Sequence, residues 1–249
     1  MRRTRAGVLL GLLLLTAIPA VLQAFRFEPI SREFAPEGAA SVRTFQVTNT
    51  NQSRIAVRVR MTTRSLTPSG EEVRRDASPQ FVVFPSRLVL EPDQSQTIRV
   101  QWSGPESLEQ ERSYRIIAEQ LPVDFAEEGG DGANLKILFR YVGSVYVVPE
   151  GAAPDVRVAG TEWVEADGER RLAVTLENRG TAHTILEGLE LRLSSGHADD
   201  ARRVLGSEVL PEVSGSNLLA GASRRVLVEL PDAWHNHAVQ ATLSYERQP

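Results

Sequence analysis

The chain has 249 residues, 41% of them hydrophobic and 24% charged, an ordinary globular composition sized for one or two domains, so a disordered tail protein is excluded. No apolar stretch beyond the start approaches the length a membrane helix needs, which excludes a polytopic membrane protein, and the lack of cysteine removes disulfide frameworks, thiolate nucleophiles and cysteine-ligated zinc. With 28 basic and 32 acidic residues the formal net charge is −4, a balance without the electrostatic footprint of a nucleic-acid partner.

Residues 1–24 have the form of a targeting segment. Arg2, Arg3 and Arg5 give a positive start, Gly7 to Leu15 is an apolar run too short to span a bilayer, and Pro19 to Ala24 supplies a break and a small residue for cleavage. Cleavage is expected after Ala24, so that the exported chain begins at Phe25 and, without the three arginines, carries −7.

From there the periodicity is two. Thr44 to Asn49 alternates, Ile55 to Met61 alternates again, and the polar turn at 49–53 between them predicts an antiparallel pair. Short apolar runs follow at Phe81 to Phe84 and Arg87 to Leu90. The Glu91-Pro92-Asp93 turn leads to a strand at Thr97 to Trp102. Further strands are expected at Tyr114 to Leu121 and Leu135 to Val148. With no helical stripe longer than two turns, residues 25–149 predict an all-β sandwich. The segment Pro149-Glu150-Gly151-Ala152-Ala153-Pro154 is a stiff connector. A second sandwich over 150–249 is expected from runs at Arg171 to Glu177, Thr184 to Leu193, Arg224 to Leu230 and Ala238 to Tyr245. Both halves contain a strand that ends in asparagine, at Asn49 and Asn178.

The chemistry is mostly negative. The four histidines, His183, His197, His235 and His237, lie in the second half; His235 and His237 would share one side of an extended strand, which can hold a metal, but Trp234-His235 beside Pro231-Asp232 reads as a loop. There is no nucleophile elbow and no Ser-x-x-Lys. The run Glu128-Gly129-Gly130-Asp131-Gly132 lacks the Lys-Ser/Thr of a phosphate loop and reads as a strand connection. The acid pairs Glu71-Glu72, Glu127-Glu128 and Asp199-Asp200 are expected to be solvated. No catalytic constellation assembles, so the chain is not expected to be an enzyme, nor to use a cofactor, a metal or a small-molecule substrate.

Two features remain. The basic residues are 27 arginines and a single lysine, Lys136; a compact ammonium can meet a carboxylate where a guanidinium fork does not fit, and chance explains a lone lysine equally well. Lys136 lies in Leu135 to Tyr141, which puts Leu135, Ile137, Phe139 and Tyr141 on one face and Lys136, Leu138 and Arg140 on the other. At a sheet edge this strand is a template for another chain; inside a sheet its apolar face is simply core.

The run Phe25 to Ile30, the strand Phe45 to Asn49, Phe84-Pro85 with Leu90 to Val100, Tyr114-Arg115-Ile116 with Glu119 to Val123, and the strand around Phe139-Arg140-Tyr141 together resemble the PapD-like periplasmic pilus chaperones. Tyr114-Arg115 and Phe139 to Gly143 depart from the best-known branch toward the non-classical, archaic-type one. The resemblance implies two immunoglobulin-like β-sandwiches in an L and a periplasmic location. It implies pilin or fimbrial subunits and an outer-membrane usher as partners. It implies subunit binding by strand addition, with Leu135 to Tyr141 as the donor strand and Leu135, Ile137, Phe139 and Tyr141 filling the subunit groove. It also implies basic residues that hold the subunit's C-terminal carboxylate: Arg32, Arg115 and Lys136, with Arg26 and Arg140 as alternatives. Arg32 is one residue nearer the following phenylalanine than the family pattern has it. The contrasting reading is an exported two-domain adhesin or structural surface component that buries the strand at 135–141 internally.

Overall fold

The computed structural model describes residues 25–123, 137–196, 202–235 and 237–246. Among these the chain is built of strands and short 3-10 turns, folded around two separate hydrophobic cores.

The first core lies between two sheets. One has the order β1 (Arg26–Glu28), β3 (Val42–Thr48), β9 (Ser95–Trp102), β7 (Phe81–Phe84). The other has the order β2 (Ser31–Phe34), β11 (Arg140–Val147), β10 (Arg112–Gln120), β4 (Ile55–Thr63), β8 (Arg87–Leu90). A hairpin, β5 (Ser65–Leu66) and β6 (Glu72–Val73), follows β4. Alternation places Phe45 and Val47 of β3, Ile98 and Val100 of β9, Val57, Val59 and Met61 of β4, and Ile116 and Ala118 of β10 in the shared interior. Phe81 is met edge-on by Trp102, Tyr114 and Phe34 at one end of it.

The strands at Thr44 to Asn49 and Ile55 to Met61 are not the antiparallel pair that their spacing predicts. β3 pairs with β1 and β9, β4 with β8 and β10, so the two lie in opposite sheets with their apolar faces turned toward each other. The reason is the corner between them. Asn49 is fully buried, and its Nδ2 donates to the carbonyls of Ser53, Leu90 and Glu91 while its Oδ1 accepts from Asn51 N, which turns the chain across the sandwich.

The second core gathers strands β12 (Val156–Ala166), β13 (Glu169–Asn178) and β18 (Ser223–Val228) on one side, and β16 (Arg202–Leu205), β15 (Glu187–Ser195) and β19 (Val239–Glu246) on the other. The short pair β14 (Thr184–Ile185) and β17 (Asn217–Leu218) stands beside them. The single run expected at 184–193 is thus broken at Leu186. His235 follows a 3-10 turn at Asp232–Trp234, and among the described residues no cluster is suited to a metal ion. His197, Asp199-Asp200 and the glycine-rich run before Leu135 lie outside the described residues.

Candidate functional site: a half-covered strand edge and its arginines

β11 is the strand expected at 135–148, and it starts later, at Arg140. Leu135 and Lys136 lie outside the described residues, and 137–139 lead in without strand pairing, although the Phe139 carbonyl still accepts from Gln120 N at 2.9 Å. Along its whole length β11 pairs antiparallel with β10, from Arg140 opposite Glu119 to Val147 opposite Arg112. Its other side is covered only in part. β2 lies parallel to it from Ser31 beside Ser144 to Phe34 beside Val147.

The pairing shows which backbone groups are left. Phe139 bonds toward β10, and Ser144 N donates to Ile30 O at 2.8 Å on the opposite side. Odd-numbered residues of β11 therefore turn their N–H and C=O to β10, and even-numbered ones turn theirs to the other edge. Arg140 and Val142 present backbone groups along an edge with no neighbouring strand among the described residues. The uncovered stretch ends at Gly143, where a Cβ would stand 2.8 Å from Ile30 O and 2.9 Å from the Ile116 side chain, so only glycine admits the chain that crosses into β2.

The side chains divide in the same way. Phe139 and Tyr141 pack on the first core, Tyr141 edge-on to Phe25 with ring centres 4.8 Å apart, while Ile137 and Leu138 are exposed. Of the face expected to be apolar, then, Phe139 and Tyr141 are on the core side, Ile137 extends it outward, and Leu135 is outside the described residues.

On the outer face of this sheet lie two arginine clusters, each centred on a carboxylate. Arg115 of β10 stands opposite Ser144, donates to Ser144 Oγ at 2.6 Å, and grips Glu72 of β6 through Nε (3.0 Å) and Nη2 (2.5 Å). Arg64 Nε reaches the same carboxylate at 2.9 Å, and Arg74 pairs with it as well. Burial pushes the Glu72 carboxyl up, but the hydrogen bonds from Arg115 and Arg74 and the charges of Arg115 and Arg64 outweigh it and hold it at about 2. The second cluster has Glu119 between Arg58 (2.5 Å), Arg60 (3.4 Å) and Arg140 (3.4 Å). Its carboxyl too is raised by burial and lowered further by Arg58 and Arg60.

The other basic candidates are dispersed. Parallel partners share a face, so Arg32, beside Val145, is on the side that carries buried Phe34, and Ser31 is the β2 residue beside Ser144 on the face of Arg115. The short spacing seen in the sequence has this structural form. Arg26 belongs to the opposite sheet and pairs with Glu28 at 3.2 Å. Of the basic residues singled out, Arg115 is the one at the point where the free edge stops.

Residues 34–153 match the family model described as the pili and flagellar-assembly chaperone, PapD N-terminal domain. The chain carries a PapD-type chaperone domain. Comparison with curated proteins found no match. Among solved structures, the class 5 fimbriae chaperone CfaA is similar with a TM-score of 0.56 at 14% identity, covering 88% of this chain and 98% of that one. The chaperone CsuC, solved with the tip adhesion subunit CsuE from archaic chaperone-usher Csu pili of Acinetobacter baumannii, is similar with a TM-score of 0.53 at 13% identity, covering 82% and 89%. A structure from a chaperone–tip adhesin complex of CFA/I fimbriae gives 0.55 at 14%, covering 88% and 98%. At these identities the likeness is one of fold, and it extends beyond the PapD-type domain to the second sandwich.

Glu72 in the PapD-type domain corrects the sequence reading, which leaves the Glu71-Glu72 pair solvated. Glu71 is exposed, but Glu72 is in a two-residue strand under three guanidiniums. A strand this short has no period to read, and its partners are two, eight and 43 positions away. The Thr67-Pro68-Ser69-Gly70 turn signal ahead of it was the one visible hint.

Proposed function

We propose that this protein is a periplasmic assembly chaperone that lends a strand to pilin or fimbrial subunits, keeps them folded, and delivers them to an outer-membrane usher. The observation that carries this reading is the half-covered edge of β11, which among the described residues leaves Arg140 and Val142 without a strand neighbour on one side and stops at Gly143. Residues 25–149 serve as the subunit-binding domain and 150–249 as its companion. Export follows from the arginine-led segment at 1–24, removed near Ala24.

Direction follows from charge. A chain laid on the free edge parallel to β11 is collinear with β2 and ends, C-terminus first, where β2 begins, beside Ser144 and Arg115. There the Arg64, Arg74 and Arg115 cluster carries one carboxylate for three guanidiniums, so the excess positive charge favours a terminal carboxylate. The antiparallel arrangement brings an ammonium to the same place and is disfavoured. Arg115 is thus the favoured anchor, with Arg140 nearer the other end of the edge and Lys136 outside the described residues.

The added chain gains ladder hydrogen bonds from Arg140 and Val142. Phe139 and Tyr141 pack on the chaperone's own core, and exposed Ile137 extends that face outward toward the subunit's groove; Leu135, the fourth groove residue implied by the resemblance, lies outside the described residues. Each apolar side chain newly and fully buried contributes roughly 1.5–3 kcal/mol, so two or three are enough to hold a subunit and still allow exchange. CsuC, which shares the fold, was solved as a pre-assembly complex with a tip subunit.

Co-expression with small exported proteins encoded beside this chain, followed by affinity capture from the periplasm and mass analysis, tests the reading. A one-to-one complex with a small partner is expected, lost in Arg115→Ala and in the Ile137→Asp, Phe139→Asp double variant. Recovery of the chain alone or on the cell surface, or undiminished capture by the double variant, overturns it in favour of an adhesin or surface component.

A further inference from the structure

Glu72 is the most heavily engaged carboxylate on the outer face of the subunit-binding sheet, and two opposite roles are open to it. It is either a stand-in that competes with an incoming carboxylate for Arg115, or the group that aims Arg115 at that carboxylate. The geometry decides between them. Glu72 takes Nε and one N–H of Nη2 from the side of the guanidinium, and Ser144 takes one N–H of Nη1, which leaves one N–H on each terminal nitrogen. Arg115 is fixed by these bonds without being used up. The charge count agrees: Arg64, Arg74 and Arg115 share the single carboxylate. Without Glu72 three guanidiniums would be left together without an anion, and repulsion would drive them apart.

The element that carries Glu72 is itself held from both sandwiches. At the root of the β5–β6 hairpin, Arg64 donates from Nη1 to Tyr146 Oη at 3.1 Å. At its tip, Arg225 N of β18 donates to Pro68 O at 2.8 Å. Gly70, at a left-handed φ of 88°, lies against the Arg224 guanidinium, so that a Cβ there would collide with it. The hairpin is a strut between the second sandwich and the underside of Arg115.

We infer that Glu72 is a positioning residue, which holds Arg115 ready for the terminal carboxylate of a bound subunit, and that the β5–β6 hairpin braces it against the second sandwich. This rests on the chaperone reading given above.

The test measures the affinity of the full mature chain for a short synthetic peptide of alternating valine and threonine, made once with a free C-terminal carboxylate and once as the C-terminal amide. The wild type is expected to prefer the acid by about tenfold, the scale of one charge-assisted contact, and Arg115→Ala to lose that preference. In Glu72→Gln, which keeps the side chain's shape, and in Glu72→Ala, the preference is expected to fall to about twofold or less although Arg115 remains, while amide binding is unchanged. A merely structural role would weaken both peptides equally and keep the ratio; a competing role would raise it. Either result overturns the inference and leaves the chaperone reading standing. A wild-type chain that binds neither peptide overturns the chaperone reading, and this inference with it.

Discussion

A strand that ends in asparagine recurs in both halves of the sequence, and the structure gives the two residues one task. Asn49 and Asn178 are both fully buried. Asn178 donates through Nδ2 to the carbonyls of Ala182 and Leu218 and accepts at Oδ1 from Gly180 N and Asp155 N, much as Asn49 does for Ser53, Leu90, Glu91 and Asn51. Each amide closes the corner by which the chain leaves one sheet for the other, and neither a carboxylate nor an apolar side chain supplies both donors and acceptor. Replacing Asn49 with alanine leaves buried carbonyls without a donor, at about 1–3 kcal/mol for each group left unsatisfied. A correspondingly lower urea midpoint is expected for Asn49→Ala, and a larger loss for Asn49→Asp. An unchanged midpoint would mean that other groups close the corner. Glu72 gives a second prediction at this scale. Its folded pKa of about 2 lies below the ordinary 4.5, so the stabilisation it contributes is fully present above pH 4.5 and is lost as pH falls toward 2. The difference in urea midpoint between wild type and Glu72→Gln is expected to shrink across that window, and a pH-independent difference would assign its effect to packing.

Among the elements, β11 combines two kinds of strand in one. Its second half is interior, paired on both sides, and its first half is an edge. Because the outward backbone groups belong to Arg140 and Val142, proline at 142 removes an N–H that no strand among the described residues uses, leaving the β10 ladder intact. Val142→Pro is expected to reduce capture of a subunit by tenfold or more, about 1.4 kcal/mol, with little change in melting temperature. Equal capture by the variant would show that the partner does not use this edge. Much of this was legible beforehand, because alternation reports which face of a strand is buried; β4, β9, β10 and β13 fall where their patterns put them. Alternation does not report which strand is the neighbour, and so β3 and β4 looked like a hairpin. It also fails where the ladder is irregular: β12, the longest strand, has a register shift between Val158 and Gly160 and borders only β13 in its sheet, and its mixed sequence shows no clean period. The division of β11 into covered and free halves depends on where β2 lands, and β2 is four residues with no pattern of their own.

For the whole molecule, the question is what keeps two sandwiches with separate cores in one arrangement, since the strut under Arg115 works only if the second sandwich stays in place. The contact is centred on Tyr146 at the covered end of β11. Its ring is stacked on His183, centres 3.7 Å apart and 10° from parallel, and its hydroxyl accepts from Arg64 at 3.1 Å and Asn217 Nδ2 at 2.7 Å. Beside it the fully buried Glu111 carboxylate accepts from the His183 backbone N at 3.1 Å, meets His183 Nδ1 at 2.6 Å, and takes the Ser113 hydroxyl at 3.1 Å. The Glu111 N–H donates to Thr181 O. None of this was visible in the sequence, where Glu111 and His183 are 72 positions apart and a lone histidine in a loop carries no signal. Truncating His183 to alanine removes the stack and one hydrogen bond to a buried carboxylate, a loss of about 1.5–3 kcal/mol for a bond to a charged group. It touches neither hydrophobic core, so each sandwich is expected to keep its own stability while the link between them loosens. Calorimetry of His183→Ala should then resolve two transitions where the wild type shows greater coupling, and small-angle scattering should show a broader distribution of shapes. Subunit capture should fall as well, because the hairpin that braces Arg115 loses the fixed surface against which it pushes. If instead the variant unfolds and scatters as the wild type does, the Pro68 and Gly70 contacts to β18, not the Tyr146 and His183 stack, fix the arrangement of the two sandwiches.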